Sequence, residues 1–202
     1  DLVVKLRASD AGSTDMFGIS VAIDGGTIVV GAMNEGPGWV DGTYYQGYGA
    51  VYVFRTTDGW TTHTEIKLTA ADVAGGDKFG WSVAIDGGTI VVGANGDDDS
   101  GSNSGSVYVF RTGDGGASYE QVAKLTAPDG AQDDRFGAFL AIEGGTVVIG
   151  APRHDDAGTD SGAAYVFGTN DGWATYSFVA KLKADDAAAG DFFGRSVGIE
   201  DG

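Results

Sequence analysis

Two stretches of the chain carry the same run of hard oxygen donors. Asp97 leads into Asp98-Asp99-x-Gly101-x-Asn103-x-Gly105, and the pattern returns as Asp155-Asp156-x-Gly158-x-Asp160-x-Gly162. Calcium takes about six to eight oxygens from flexible loops of this kind, and carboxylates this crowded repel one another unless a cation or water screens them. Asp97, Asp98, Asp99, Asn103, Asp155, Asp156 and Asp160 are therefore candidate calcium ligands. No bidentate Glu closes either loop, so neither is an EF-hand, and Asp beside Gly is also ordinary loop chemistry. Both readings stand at this level.

A second acidic pattern precedes four Phe-Gly pairs, with an Asp seven and two residues before each Phe: Asp10 and Asp15, Asp72 and Asp77, Asp129 and Asp134, Asp186 and Asp191. These side chains can accept hydrogen bonds from backbone amides and fix a loop that recurs unchanged, or they can form a second metal site. Uniform recurrence favours the turn, because a ligand site seldom needs every repeat alike.

Between Ala32 and Val51 the chain is six residues longer than between Ala94 and Val107, and this stretch drops the Asp pair while gaining Trp39, Tyr44, Tyr45 and Tyr48. Aromatic side chains in a long glycine-rich loop can stack on a sugar face or anchor a protein partner; they can equally fold back over the frame. Catalysis has thin support. His63 and His154 fall in different kinds of loop, and no Gly-x-Ser-x-Gly elbow, His-Glu-x-x-His or phosphate loop is present. His154 beside Asp155 and Asp156 is read as a solvated loop residue, with a mixed metal site as the alternative.

The elements that must position these residues repeat. Phe17, Phe79, Phe136 and Phe193 open near copies of one unit at intervals of 62, 57 and 57 residues, a period that belongs to solenoids, propellers and arrays. Each unit gives a strand such as Ser82–Ile85, a tight Asp-Gly-Gly hairpin, a strand such as Thr89–Ala94, a polar loop, a Tyr-Val-Phe strand such as Ser106–Phe110, an Asp-Gly turn and a last strand such as Val122–Ala127. Apolar runs that are continuous rather than alternating predict sheets covered on both faces. The expected fold is all-β, a β-propeller of four-stranded antiparallel blades, of which the chain covers about three and a half. The expected divisions are 1–16 (last strand of a preceding blade and its loop), 17–78, 79–135 and 136–192 (three blades) and 193–202 (the start of another).

Phe-Gly followed by a strand, then Gly-Ala-Pro at 150–152, Gly-Ala-Met at 31–33 and Gly-Ala-Asn at 93–95, then Gly-x-x-Tyr-Val-Phe, resembles the FG-GAP repeat of integrin α-subunit propellers and of secreted microbial and algal proteins. The resemblance spans the chain and implies an extracellular or cell-surface module for adhesion or recognition, often with calcium in blade loops. The family's calcium loop lies between the Phe-Gly strand and Gly-Ala-Pro. Only Ile-Asp-Gly-Gly-Thr at 23–27 and 85–89, or Ile-Glu-Gly-Gly-Thr at 142–146, stands there, too short for that ion's ligand number.

Charge narrows the partners. Twelve basic against 29 acidic residues give a net charge of −17, which repels phosphate backbones and anionic lipid. A meander places the loops before Phe-Gly and after Gly-Ala on one rim, and 18 of the 29 acids fall there. That long-loop rim is the expected working surface. Nucleic acid is not an expected partner, and no apolar run approaches the roughly 20 residues that span a bilayer. The chain is expected to be a non-enzymatic module that binds a protein or glycan at the cell surface, with possible calcium dependence. A structural unit that self-assembles or is completed by further blades is the alternative, and a calcium-assisted hydrolase the lesser one.

Overall fold

The computed structural model describes residues 3–40, 43–44, 46–171 and 175–200. Fourteen strands and no helices appear among them. The first blade contains β1 (Phe17–Asp24), β2 (Thr27–Ala32), β5 (Ala50–Arg55) and β6 (Thr64–Leu68), with a small ladder of β3 (Trp39–Val40) and β4 (Thr43–Tyr44) inserted between its second and third strands. The second contains β7 (Phe79–Asp86), β8 (Thr89–Ala94), β9 (Ser106–Arg111) and β10 (Glu120–Leu125), and the third β11 (Phe139–Glu143), β12 (Thr146–Ala151), β13 (Ala163–Gly168) and β14 (Ser177–Leu182). Each blade is an antiparallel meander in sequence order. The expected four-stranded blades are therefore present.

Two details differ from the sequence reading. Val3–Ala8 joins no ladder among the described residues, although Leu6 and Ala8 pack on the first blade as Leu68 and Ala70 pack under the second. The first strand of the third blade begins only at Phe139, where Phe takes the place held by Ser20 and Ser82.

The core lies between blades rather than within a single sheet. Val29, Val51 and Val53 of the first blade meet Phe79, Tyr108 and Phe110 of the second, and Val91, Val107 and Val109 of the second meet Phe136, Tyr165 and Phe167 of the third. This two-sided burial is why the central strands read as unbroken apolar runs. In each of the three blades the Phe of Phe-Gly stands edge-on to the two aromatics of Tyr-Val-Phe, with Phe79 5.5 Å from Tyr108 and 5.8 Å from Phe110 between ring centroids.

Glycine sets how closely blades approach. A Cβ on Gly31, Gly93 or Gly150 would lie 2.0 Å from the carbonyl oxygen of Gly80, Gly137 or Gly194 respectively, the Phe-Gly glycine of the following unit. Ser20 and Ser82 donate to the first two of those carbonyls at 2.8 and 2.7 Å. At the opposite rim, Asp24 and Asp86 accept from the hairpin amides of Gly87 and Gly144 in the next blade. The first and second blades are thus each fastened to their successor at both ends.

Gly93→Ala should cost about 3 kcal/mol in chemical denaturation, the upper part of the range for forced overpacking. Gly113→Ala, where an added Cβ meets nothing within 4 Å, is the control and should stay within about 0.5 kcal/mol of the parent.

Candidate functional site

On the long-loop rim each blade repeats one polar knot. The Tyr of Tyr-Val-Phe is fully buried, yet its hydroxyl reaches the rim: Tyr52 donates to Asp10 at 2.6 Å and Tyr165 to Asp129 at 2.8 Å, while Tyr108 lies 2.9 Å from Asp72 and 2.7 Å from Asp97 and donates to one of them at a time. A lysine of the last strand meets the same carboxylate. Lys67 bonds Asp10 at 2.6 Å and Glu35 at 2.7 Å; Lys124 bonds Asp72 at 2.7 Å, Asp97 at 3.2 Å and Asp99 at 2.5 Å. Lys181 bonds Asp129 at 2.7 Å and also Asp156. The three ammonium groups lie 5.1 to 5.6 Å from the centroids of the Tyr rings.

Ionisation follows from these contacts. Hydrogen bonds from Lys67 and then Tyr52 hold Asp10 below its ordinary value. Burial opposes charge on Asp72 and Asp129, but the bonds from Lys124 and Lys181 prevail and both carboxyls also end low. Burial, reinforced by the neighbouring Asp, pushes the three tyrosines upward and keeps their hydroxyls donors. Burial alone would lower the three lysines, and the carboxylates around them outweigh it.

The second Asp of each repeated pair has a different role. Asp77, Asp134 and Asp191 accept from the amides of Ala74, Ala131 and Ala188, three residues back, at 2.7 to 2.8 Å, and Asp15 takes the same bond from Gly12. Asp186 is exposed and makes no hydrogen bond among the described residues. In the Asp-rich loops, Asp98 accepts from the Asn103 amide at 2.7 Å and Asp155 from the Asp160 amide at 2.8 Å. Asn103 and Asp160 sit in left-handed conformations with φ of 53° and 56°, where Asn and Asp are tolerated. The glycine that ends each loop closes it onto the loop's start, Gly105 to Asp97 and Gly162 to His154, both at 2.8 Å.

The structure therefore gathers Asp72, Asp97 and Asp99 in the second blade, and Asp129, Asp156 and His154 in the third. A lysine ammonium stands among the donors in each, where a cation would bind. Calcium can take these oxygens only if that ammonium withdraws. His154 is buried rather than solvated: Nδ1 lies 2.8 Å from Asp134 and Nε2 2.7 Å from Lys181. The Asp134 bond raises its pKa, while burial and the Lys181 charge pull it back. The net shift is upward, and Nε2 also faces the Asp156 carboxylate at 3.2 Å. No hydroxyl bonds either ring nitrogen among the described residues. His63 lies on the other rim, edge-on to Phe54.

Trp39 and Tyr44 are cross-strand partners in the β3–β4 ladder, and Tyr48 is exposed on the same loop. Tyr45 lies outside the described residues. The sequence reading passed over the lysines and tyrosines of the knot, although Lys67, Lys124 and Lys181 recur once per unit, as the aspartates they bind do.

The profile of the FG-GAP repeat matches residues 1–54, 62–110, 119–167 and 176–202. The chain belongs to the FG-GAP repeat family. No curated protein matches it in a sequence comparison. Among solved structures, Sqt1 of Saccharomyces cerevisiae is similar at a TM-score of 0.51 and 9% identity, over 87% of this chain and 37% of that one. The chain thus spans little more than a third of that relative, and a likeness at such identity bears on fold alone. FG-GAP propellers are commonly extracellular, binding and non-catalytic. No helix among the described residues is long and apolar enough to cross a membrane.

Lys124→Met should lower stability by about 2 kcal/mol, between the worth of an exposed pair and the cost of breaking a buried one. Calcium should then raise the melting temperature of the variant more than that of the parent, since three carboxylates have lost their cation; a variant as stable as the parent would remove the lysine from this role. Acid should act in two stages. Burial, opposed by the Ala74 amide and reinforced by the charges of Asp97 and Asp98, raises Asp77 to about 6, so its protonation relieves the fold as pH falls from 7 toward its unfolded value of 3.8. The lowered carboxyls Asp10, Asp72, Asp129 and, at about 2, Asp58 contribute stability that is present above 3.8 and lost as pH falls through their folded values. The melting temperature should hold or rise slightly from pH 7 to about pH 5 and drop steeply below about pH 4, and Asp77→Asn should abolish the first stage only.

Proposed function

We propose that this FG-GAP chain is a non-catalytic recognition module of an extracellular or cell-surface protein, which contacts a protein or glycan through its long-loop rim. The observation that carries this reading is the contrast between loops. Elsewhere on the rim all but one of the repeated acids, Asp186, are spent on lysines, tyrosines and backbone amides, whereas the loop between β2 and β5 departs from the repeat and adds a ladder bearing Trp39 and Tyr44, with Tyr48 exposed beside it. Non-repeating aromatics on a rigid repeating frame suit selective contact. Calcium would enter as a modulator, by competing with the rim lysines for their carboxylates.

Trp39→Ala and Tyr48→Ala should each weaken binding at least tenfold in a glycan array and in a cell-surface binding assay, with melting temperatures unchanged. Binding that both variants retain in full would take the recognition surface away from this loop.

A second reading, a structural unit of a larger array, rests on apolar side chains left open at the two ends of the arc: Val21 and Ile23 at the first blade, 60% and 64% exposed, and Phe178 and Val179 at the third, 45% and 63% exposed. Exposed faces of this kind favour association. Sedimentation that shows a monomer at all concentrations would count against self-assembly of this segment.

A further inference from the structure

At the mouth of the central channel the charge of the rim reverses. A cavity of about 290 Å³ is lined by Trp81, Asn95, Arg135, Phe139, Arg153 and Arg195, among others. It shares Trp81 and Phe139 with the channel itself, a cavity of about 380 Å³ walled by the first strands of the blades. Three of only 12 basic residues in the chain converge here. Unlike Lys67, Lys124 and Lys181, none of these arginines makes an ion pair with a carboxylate among the described residues. A fourth cation, Lys78, lies 5.8 Å from the Trp81 ring centroid, and burial together with the Arg135 charge lowers its pKa. Concentrated positive charge has been left without an internal counterion in a chain of net charge −17.

Asn95 points to what is missing. It is 1% exposed, and neither its amide nitrogen nor its oxygen has a hydrogen-bond partner; the Arg135 Nε is buried and unpartnered as well. A buried, unsatisfied amide bears an uncompensated desolvation penalty. The repeat does not demand a polar group there, because Met33 and Pro152 occupy the same place after Gly-Ala in the other blades. A retained donor and acceptor beside unpaired guanidinium groups is what an absent ligand would satisfy.

We propose that this cavity binds the carboxylate of an acidic sugar, a single hexuronate residue. The planar guanidinium forks match a carboxylate. The Asn95 amide supplies a donor and an acceptor for sugar hydroxyls, and Trp81 and Phe139 offer apolar walls to the ring. At about 290 Å³ the cavity lies just under the range for ligand clefts, about 300–1,000 Å³, which suits one ring rather than a chain. The site is separate from the aromatic rim loop and does not depend on it.

The test titrates glucuronate and galacturonate into the protein by calorimetry and by Trp fluorescence, with glucose, acetate, inorganic phosphate and a short Asp/Glu peptide as comparisons. At least one uronate should bind at least tenfold tighter than glucose and than acetate, and more weakly as salt rises. Arg153→Ala and Arg195→Ala, both at exposed side chains, should each weaken it tenfold or more with melting temperature retained. Asn95→Met, the residue of the first blade, should lose uronate binding while melting at or above the parent temperature, a result that a merely structural Asn would not give. Trp39→Ala should leave uronate binding unchanged, which separates this site from the rim loop. Uronates that bind no better than glucose, or as well to the two arginine variants as to the parent, would overturn the proposal; phosphate or the acidic peptide binding more tightly than either uronate would overturn the ligand class.

Discussion

Blades can stack here only because glycine meets backbone at each junction. The glycine after the second strand's valines lies under the carbonyl of the next unit's Phe-Gly glycine, and a methyl group at Gly31, Gly93 or Gly150 would occupy space that carbonyl already fills. That close approach brings the next Phe against the preceding loop, where the Phe79, Phe136 and Phe193 amides donate to the carbonyls of Tyr48, Ser104 and Ser161. The aromatic cluster, the placement of the Asp loops and the proximity of the first strands around the channel all follow from this spacing. Side-chain packing then fills what the backbone contact has defined, consistent with cores that lie between blades rather than within them.

The same spacing creates an electrostatic problem, and the chain solves it internally. Loops from consecutive units converge on each rim position and bring two or three carboxylates together. A lysine from the last strand, its stem lying along the buried Tyr, supplies the positive charge and the Tyr hydroxyl fixes one carboxylate oxygen. Position 35, 97 or 154 is Glu, Asp or His in successive blades, and each of the three still meets the lysine. An internal ammonium can accommodate an anionic or a neutral acceptor in turn, which a metal of fixed ligand preference does less readily.

The blades were legible in the sequence because hairpin glycines, apolar strands and the Phe-Gly register all report local or nearest-neighbour constraints. The role of Asp77 and its equivalents was legible for the same reason, since the amide each one caps lies three residues away. The Asp–Lys–Tyr knot was not: Asp72 and Lys124 are separated by 52 residues and meet through folding of the whole unit. The burial of His154 was hidden for a related reason. Its flanking aspartates suggested solvent, but its position is that of Asp97, beneath a lysine and against a Tyr ring.

The functional implication turns on which polar groups are satisfied. An acidic rim counted from sequence looks like an open anionic surface, yet several of its carboxylates are paired with Lys67, Lys124 or Lys181 and others are bonded to tyrosine hydroxyls and backbone amides. The unsatisfied groups lie elsewhere, at Asn95 and the arginines around it, and they have the opposite sign. Because repetition forces each rim knot to satisfy itself, selectivity can arise only where the repeat is broken. Two of the breaks matter most here, the inserted ladder of the first blade and the substitution of Asn for Pro or Met in the second, and they differ in kind: one lengthens a loop, the other leaves a buried amide in need of a partner.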